Sequence, residues 1–347
     1  MSHLHWHRGD LGFVASSRGC PYDCIFCSNR ITTGKRYRFR SNESIIATLK
    51  LLYEKYNRTF VLFLDDNFLV NKERVYDLID MIMSEGLHHK MTFSFQARGD
   101  NVDRQLLSSL YSAGFKSVFF GLETASEALM KIVKKGETVQ QCIHAVQLAR
   151  EIGFHVSATF IFGLPTETHQ DRLDAILLAK ELMLDQVRFN NATPYPGTEL
   201  YQIAKSQDRL KIYGVYENFL SVGTFIENPF SPIPFSYTPP GNTEAEIRND
   251  ILFAYLSFYW DFRKIKEILF KPKQGVGWFS AGSNWVAFLK KIPSLVLLFF
   301  LAGYKFFKMV LDILLQRNTQ LPRRYLWRAL TGRPITGSSG PIVNLTK

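Results

Sequence analysis

The 347-residue sequence predicts an α/β fold, a partial (β/α)6 TIM-like barrel with a helical, basic and apolar C-terminal extension. Two observations predict the barrel: short apolar runs alternate with amphipathic stretches up to about residue 192, and Gly, Asn or Asp residues separate them. A third predicts the extension: residues 262–347 hold 15 Lys or Arg and only two acidic residues, whereas the remainder is nearly neutral.

Six apolar runs are predicted to be parallel strands, at residues 11–15, 60–64, 91–96, 117–121, 157–162 and 186–191. No seventh or eighth unit follows, so we expect an open barrel instead of a closed one. Ligands of parallel βα folds gather at the carboxyl ends of the strands. Polar residues that directly follow each run are therefore the candidate site residues.

Helix signals lie between these runs. A helical pattern follows Ser41. Asp103 is placed to cap the segment that ends at Gly114, and Thr124 with Glu127 fits a capping box. The helix from residue 138 to 152 is predicted to end at Gly153, and another fills residues 169–184. Each pattern has the length of an ordinary crossover helix.

The predicted organisation has four parts: an N-terminal tail at 1–10, the barrel at 11–213, a proline-rich linker or covering loop at 214–242, and a helical extension at 243–347. Five prolines between residues 228 and 241 indicate the linker. Thr243 and Glu246 fit a capping box that begins the extension, whose first helix is expected to reach about residue 270.

Three cysteines, Cys20, Cys24 and Cys27, follow the first predicted strand with C-x3-C-x2-C spacing. Three thiolates on one loop suit three irons of a four-iron cubane and leave one iron open to a substrate or cofactor. A structural zinc site needs a fourth ligand, and only the N-terminal His3, His5 and His7 offer one. A disulfide framework does not fit a chain of this length. Cys142 lies in a helical pattern and is expected to be buried.

The loop, with Phe26 before the last cysteine, resembles the signature loop of the radical S-adenosylmethionine (SAM) enzymes. The resemblance implies a [4Fe–4S] cluster on Cys20, Cys24 and Cys27 and SAM bound at the open iron. Reductive cleavage of SAM then gives a 5′-deoxyadenosyl radical that abstracts hydrogen. It also implies that Phe26 packs near the adenine. A reducing, oxygen-poor compartment is expected.

The other predicted cofactor contacts stand at the strand ends: Asp65, Asp66, Arg98, Glu123, Ser126, Gly163, Pro165 and Asn190. Carboxylates there suit the ammonium group of SAM or its ribose hydroxyls, and a Gly-Leu-Pro turn lets backbone approach a planar ring. Structural alternatives are open: the Asp pair can cap the next helix, and Arg98 can form an internal ion pair.

Several strings, among them Leu64-Asp-Asp-Asn-Phe68 and Phe162-Gly-Leu-Pro-Thr-Glu-Thr168, resemble the catalytic core of the cobalamin-dependent radical SAM branch. That branch includes anaerobic magnesium-protoporphyrin ester cyclase, hopanoid-modifying enzymes and methyltransferases. Only 19 residues precede Cys20, too few for its cobalamin domain. Three alternatives follow: cobalamin binds to a separate chain, the reaction does not need cobalamin, or the sequence is truncated. One leftover cysteine excludes branches with auxiliary clusters.

The extension predicts a helix that lies in a membrane interface. Residues 292–304 carry no charge, and basic residues and tryptophans flank them. The predicted interface residues are Trp285, Leu298, Phe299, Phe300, Lys305 and Lys308. A spanning helix and a helix packed on the core are the alternatives. The apolar run disfavours a nucleic-acid surface.

Together these observations predict a radical SAM enzyme on the cytoplasmic face of a membrane, acting on a lipid, hopanoid or tetrapyrrole. Expected partners are a flavodoxin or ferredoxin electron donor, an anionic membrane and a cobalamin-binding chain. Two alternatives are an RNA-modifying radical enzyme, which would use the basic extension, and a truncated, non-catalytic remnant that keeps the cluster.

Overall fold

A computed structural model describes residues 11–219 and 233–259, and in the extension residues 300, 303, 304, 307, 308, 310, 311 and 315. The predicted N-terminal tail, the middle of the linker and most of the extension lie outside the described residues. Trp285, Leu298, Phe299 and Lys305 are among these, so their predicted interface role is not addressed by the structure.

Six parallel strands form one open, curled sheet in the order β1-β4-β5-β6-β7-β8. Their bounds are β1 Leu11–Val14, β4 Phe60–Phe63, β5 Thr92–Ala97, β6 Phe115–Glu123, β7 His155–Phe162 and β8 Gln186–Asn191. A short antiparallel pair, β2 Ser17–Arg18 and β3 Arg38–Phe39, stands beside it. All six predicted strands and the partial-barrel fold are confirmed. Each strand of this sheet neighbours the barrel strand that precedes it in the chain, which is the common arrangement for consecutive strands.

Nine α-helices lie among the described residues between 11 and 259. They are α1 Asn29–Thr32, α2 Asn42–Glu54, α3 Lys72–Ser84, α4 Arg104–Ser112, α5 Glu127–Ile132, α6 Val139–Ile152, α7 His169–Glu181, α8 Glu199–Ser206 and α9 Glu244–Tyr259. Ser41 and Asp103 cap α2 and α4 as predicted, because each side chain accepts a backbone N–H of the first turn. The Thr243–Glu246 capping box at α9 is also present.

The predicted capping box at Thr124 and Glu127 is wrong. Ser126 caps α5 instead, accepting from Leu129 N. The Glu127 carboxylate reaches the next helix and accepts from Val139 N at 2.8 Å. An acidic side chain is stabilised near unsatisfied N–H groups, and the folded chain brings the start of α6 within its reach.

A buried aromatic cluster lies on strands β4, β5 and β6 and on the turn that follows β4. Phe63, Phe68, Phe93, Phe95 and Phe115 are all fully buried, and their rings pack 4.9–6.0 Å apart. Burying such side chains contributes about 1.5–3 kcal/mol each. The strand ends that carry the candidate site residues therefore rest on a well-packed layer.

Helix α9 covers the open edge of β8. Tyr259 Oη accepts from Val187 N at 3.1 Å and donates to Val187 O at 3.0 Å, and Tyr255 Oη accepts from Phe189 N at 3.1 Å. An edge strand otherwise leaves such backbone groups unpaired. Burial raises the pKa of Tyr259, so its hydroxyl keeps the proton it donates. The first helix of the extension thus belongs to the barrel.

Replacing this tyrosine tests that closure. Tyr259→Phe is expected to destabilise the protein by about 1–3 kcal/mol, because both polar backbone groups of Val187 lose their partner while the ring is retained. Urea denaturation followed by circular dichroism measures the change. Tyr213→Phe, at a half-exposed tyrosine, is the matched control. Equal stability of the two variants would contradict the assigned edge contact.

Candidate active site

The cysteine loop begins after β2 at the carboxyl end of β1, as predicted. Gly19 N donates to Asp66 Oδ2 at 3.1 Å, and Cys20 N donates to Gly34 O at 3.2 Å. Gly19 has φ +97°, and a Cβ there would lie 2.3 Å from Arg36 O. Only glycine meets both conditions, so this residue fixes the chain direction into Cys20.

The rest of the loop crosses toward the later strands. Ile25 N donates to Val133 O at 3.1 Å, and Ile25 O accepts from Leu200 N at 2.9 Å. Phe26 is partly buried against a small apolar cluster made by Ile25, Val133, Leu164, Ala192, Leu200, Ala204 and Tyr237. One loop is therefore bonded to segments that follow β4, β6 and β8, which holds its cysteines over the strand ends.

The three loop thiols are free and partly exposed, whereas Cys142 is buried on α6 as predicted. Burial raises the pKa of each loop thiol, that of Cys24 to about 11, and the Arg98 and Lys135 cations oppose this for Cys24. Among the described residues no three His, Cys, Asp or Glu converge on a single-ion site. A cubane differs, since each thiolate binds its own iron. Three free, partly exposed thiols on one hydrogen-bonded loop fit a [4Fe–4S] cluster.

The two aspartates after β4 hold the cysteine loop in different ways. Asp65 is fully buried and accepts from Ser16 N at 3.2 Å, Ser16 Oγ at 2.7 Å and the Ser17 hydroxyl. Asp66 is partly exposed and accepts from Gly19 N and from Thr33 Oγ1 at 2.9 Å. Asp65 thus anchors the segment before the loop, and Asp66 is the carboxylate that remains accessible.

Arg98, after β5, is an internal clamp. Its Nε and Nη2 donate to the two oxygens of Asp100 at 3.0 and 2.9 Å, and Nη1 donates to Lys135 O at 2.7 Å. The guanidinium lies 3.5 Å from the ring centroid of Tyr22, which is in the cysteine loop. Arg98 therefore forms the internal ion pair that was the structural alternative, and it also contacts the cysteine loop through the Tyr22 ring.

A buried charge cluster beside the loop was not foreseen from the sequence. Lys135 Nζ lies 2.9 Å from Glu123 Oε1 and 3.4 Å from Glu137 Oε1, and all three residues are less than a tenth exposed. Although burial opposes its charge, Glu123 holds the pKa of Lys135 above its usual value. In the sequence, Lys135 marks only the end of a helix. The sequence feature that could have indicated this cluster is the pair of lysines, Lys134 and Lys135, directly before Gly136-Glu137.

The remaining predicted contacts lie at the other strand ends. Gly163, at φ +86°, donates its N–H to the buried Glu167 carboxylate, and Pro165 is buried in the same turn. Ser126 is occupied as the α5 cap, while Asn190 is a partly exposed side chain on β8. The parallel sheet places all these residues at one edge, and their contact with a cofactor stays a prediction.

The sequence profile of the radical SAM superfamily matches residues 14–179. An uncharacterized methyltransferase of Pyrococcus horikoshii is 39% identical over 200 residues, which are 58% of this chain and 43% of that protein. The anaerobic magnesium-protoporphyrin IX monomethyl ester cyclase of Cereibacter sphaeroides is 26% identical over 264 residues, 75% of this chain and 40% of that protein. The chain thus spans less than half the length of these relatives.

A similar fold occurs in the radical SAM methyltransferase TsrM of Kitasatospora setae, solved with cobalamin and a [4Fe–4S] cluster bound. The TM-score is 0.53 at 19% identity, over 69% of this chain and 46% of that one. Residues 14–179, which the radical SAM profile matches, contain the cysteine loop and the carboxyl ends of five of the six barrel strands. Residues 14–179 of this chain are accordingly a radical SAM domain, with relatives among the cyclases and methyltransferases of the cobalamin-associated branch.

Proposed function

We propose that this chain is a radical SAM enzyme that modifies a hydrophobic substrate. The observation that carries the proposal is the loop of three free thiols, bonded across the strand ends within the matched domain. Cys20, Cys24 and Cys27 would hold a [4Fe–4S] cluster. When bound, the cluster supplies the electron that cleaves SAM to a 5′-deoxyadenosyl radical, and a donor of the flavodoxin or ferredoxin class supplies it in turn.

The chain's own residues then position the cofactor. Asp66 offers an accessible carboxylate for an ammonium group. Phe26, packed against the apolar cluster that includes Leu164 of the Gly163–Pro165 turn, presents an apolar surface for a purine. Asn190 lies on β8, the edge strand opposite β1, and would offer amide hydrogen bonds from that side.

A lipid, hopanoid or tetrapyrrole substrate is supported by the relatives and by exposed apolar side chains. The cyclase relative is named for a tetrapyrrole ester. Near the end of the described barrel, Ile212, Tyr213 and Val215 are at least half exposed. Exposed apolar groups close together mark sites that bind apolar partners. Methylation, cyclisation or carbon–carbon bond chemistry on such a molecule is the proposed reaction class.

The first experiment measures SAM cleavage. The protein is reconstituted anaerobically with iron and sulfide, given SAM and dithionite, and assayed for iron per chain and for 5′-deoxyadenosine. We expect about four irons per chain and product in excess of enzyme. A fully loaded protein that forms no product, with or without added cobalamin, would contradict the proposed activity.

Adding cobalamin, alone or on a separate cobalamin-binding chain, distinguishes the modes of cofactor use. A methylated product that appears only with cobalamin would place this chain in a cobalamin-assisted system. Product formed equally without it would show that the corrinoid is not required. Both outcomes keep the radical chemistry and decide only what accompanies it.

We further propose a peripheral position on the cytoplasmic membrane face. In the described part of the chain no helix is long and apolar enough to cross a bilayer. The described helical positions near residue 300 show an apolar stripe, with Phe300 76% and Phe307 66% exposed, and Tyr304, Leu311 and Leu315 on the same face. Val310 packs against the core, and Lys308 is exposed beside the stripe. An apolar face with basic neighbours suits an anionic membrane surface.

Substituting the stripe tests the membrane proposal. The double variant Phe300→Ser, Phe307→Ser is expected to weaken binding to phosphatidylglycerol/phosphatidylcholine vesicles by about tenfold or more. The reason is that it removes two aromatic rings that would insert into the membrane interface. Sedimentation with vesicles at two salt concentrations measures the binding. Leu51→Ser, at a residue of α2 that is 49% exposed, is the control. Unchanged binding of the double variant would contradict an interface on this face.

A further inference from the structure

We propose that Lys135 sets the reduction potential of the iron–sulfur centre, acting as a fixed positive charge behind the cysteine loop; this rests on the proposed function. The residue is a positioning residue in this sense: it acts on the centre through its charge. Its side chain is only 8% exposed and lies on the segment after α5 that also accepts the Ile25 N–H of the loop. The cation and the loop are therefore parts of one bonded unit.

The ammonium group is held from several sides. Glu123 Oε1 lies 2.9 Å away and Glu137 Oε1 lies 3.4 Å away. Glu137 is itself fixed, since its Oε2 accepts from Gly99 N at 2.7 Å and from Asp100 N at 3.2 Å. The backbone oxygen of Lys135 accepts from Arg98 at 2.7 Å. Both the side chain and the backbone of Lys135 are thus restrained.

The surrounding backbone is shaped to admit this ion pair. A Cβ at Gly121 would lie 2.4 Å from Glu123 Oε1 and 2.9 Å from Lys135 Nζ, so a larger residue would displace the pair. Glu123 has φ +65°, and the pairing register of β6 with β7 shifts between Gly121 and Glu123. A non-glycine residue at positive φ costs about 1–3 kcal/mol and persists where the surroundings impose it. The strand end is distorted so that the carboxylate meets Lys135.

The position of this cation matters because of the charge change on reduction. Gly136, next to Lys135, lies against the cysteine loop: a Cβ there would be 3.7 Å from Tyr22 Cδ1, and Val133 O, two residues before Lys135, accepts the Ile25 N–H at 3.1 Å. One-electron reduction adds one negative charge to the site and neither forms nor breaks a bond; the electron comes from the external donor. In a buried site a nearby fixed charge interacts more strongly than in water. Lys135 therefore favours the reduced state, and Glu123 offsets part of that effect.

The experiment measures the midpoint potential of the reconstituted protein, without SAM, by redox titration monitored by electron paramagnetic resonance. We expect Lys135→Met to shift the potential to more negative values and Glu123→Gln to shift it to more positive values. The double variant should lie between the two single variants, and Lys135→Arg should stay near the wild type. The double variant also guards against misfolding, since removing both partners of a buried ion pair costs less stability than removing one, and Glu137 keeps its bonds from Gly99 N and Asp100 N.

The matched control is Lys134→Gln, which removes the neighbouring charge from a side chain that is 53% exposed and paired with Glu199. Its potential should remain at the wild-type value, because solvent screens that charge. Shifts of the same sign in both single variants, or no shift in either, would overturn the role of Lys135 while the proposed function stands. A wild-type protein that binds no iron would overturn both.

Discussion

Replacing Cys24 by alanine is expected to abolish the iron–sulfur centre and, with it, cleavage of SAM. Cys24 lies between the other two loop cysteines, and burial raises the pKa of its thiol to about 11. Without it a second iron, besides the open one, would have no ligand from the chain. We expect iron per chain to fall to background and 5′-deoxyadenosine formation to drop by more than about 100-fold.

The control for this variant is Cys142→Ala. Cys142 is 1% exposed on α6 and contributes only packing, so its loss should lower stability by about 1 kcal/mol and leave the iron content unchanged. Anaerobic iron and sulfide analysis, with the absorbance of the centre, distinguishes the two variants. If Cys24→Ala kept a full iron content and normal cleavage, the assignment of the loop as the cluster site would be wrong.

Arg172→Met is expected to destabilise the folded chain by about 3–5 kcal/mol. Arg172 is fully buried, and its Nε donates to Asp250 Oδ2 of α9 at 2.6 Å. Its Nη1 donates to Asn242 Oδ1 at 2.9 Å and lies 3.4 Å from Glu167 Oε2. Removing the cation leaves two carboxylates buried without it. The loss is a large part of the stability of an ordinary domain.

Urea denaturation of the metal-free protein measures this effect. Arg104→Met is the matched control, since Arg104 pairs with Glu151 where both side chains are at least 60% exposed, and such a pair contributes at most about 1 kcal/mol. A similar cost for both variants would show that α9 is not held through Arg172. A loss of stability confined to Arg172→Met would confirm that the extension's first helix and the turn after β7 form one unit.

Several features of this chain follow from local sequence alone. The six strands were predicted because each is a short apolar run between turn residues, and the helix beginnings at Ser41, Asp103 and Thr243 because a side-chain oxygen needs only its own first turn. The cysteine spacing likewise indicates its chemistry without any neighbour. In all these cases the deciding interactions lie within a few residues.

Other features depended on contacts between distant segments. Asp65 and Arg98 were predicted from the sequence as cofactor contacts. In the structure Asp65 accepts hydrogen bonds from Ser16 and Ser17. Arg98 donates to Asp100 and to the backbone oxygen of Lys135. Glu127 fits a capping box for its own helix, yet its carboxylate reaches the start of α6. A polar side chain bonds whichever partner the fold places nearest, and that partner is not encoded locally.

The sequence by itself determined the barrel, the place of the cysteine loop and the domain to which residues 14–179 belong. Only the tertiary structure decided that Lys135 is a buried cation beside that loop and that α9 closes the edge of β8. The physical reason is that apolar periodicity and turn residues act over short stretches. The partner of a buried charge or an edge backbone group, in contrast, is chosen by the packing of elements far apart in the chain.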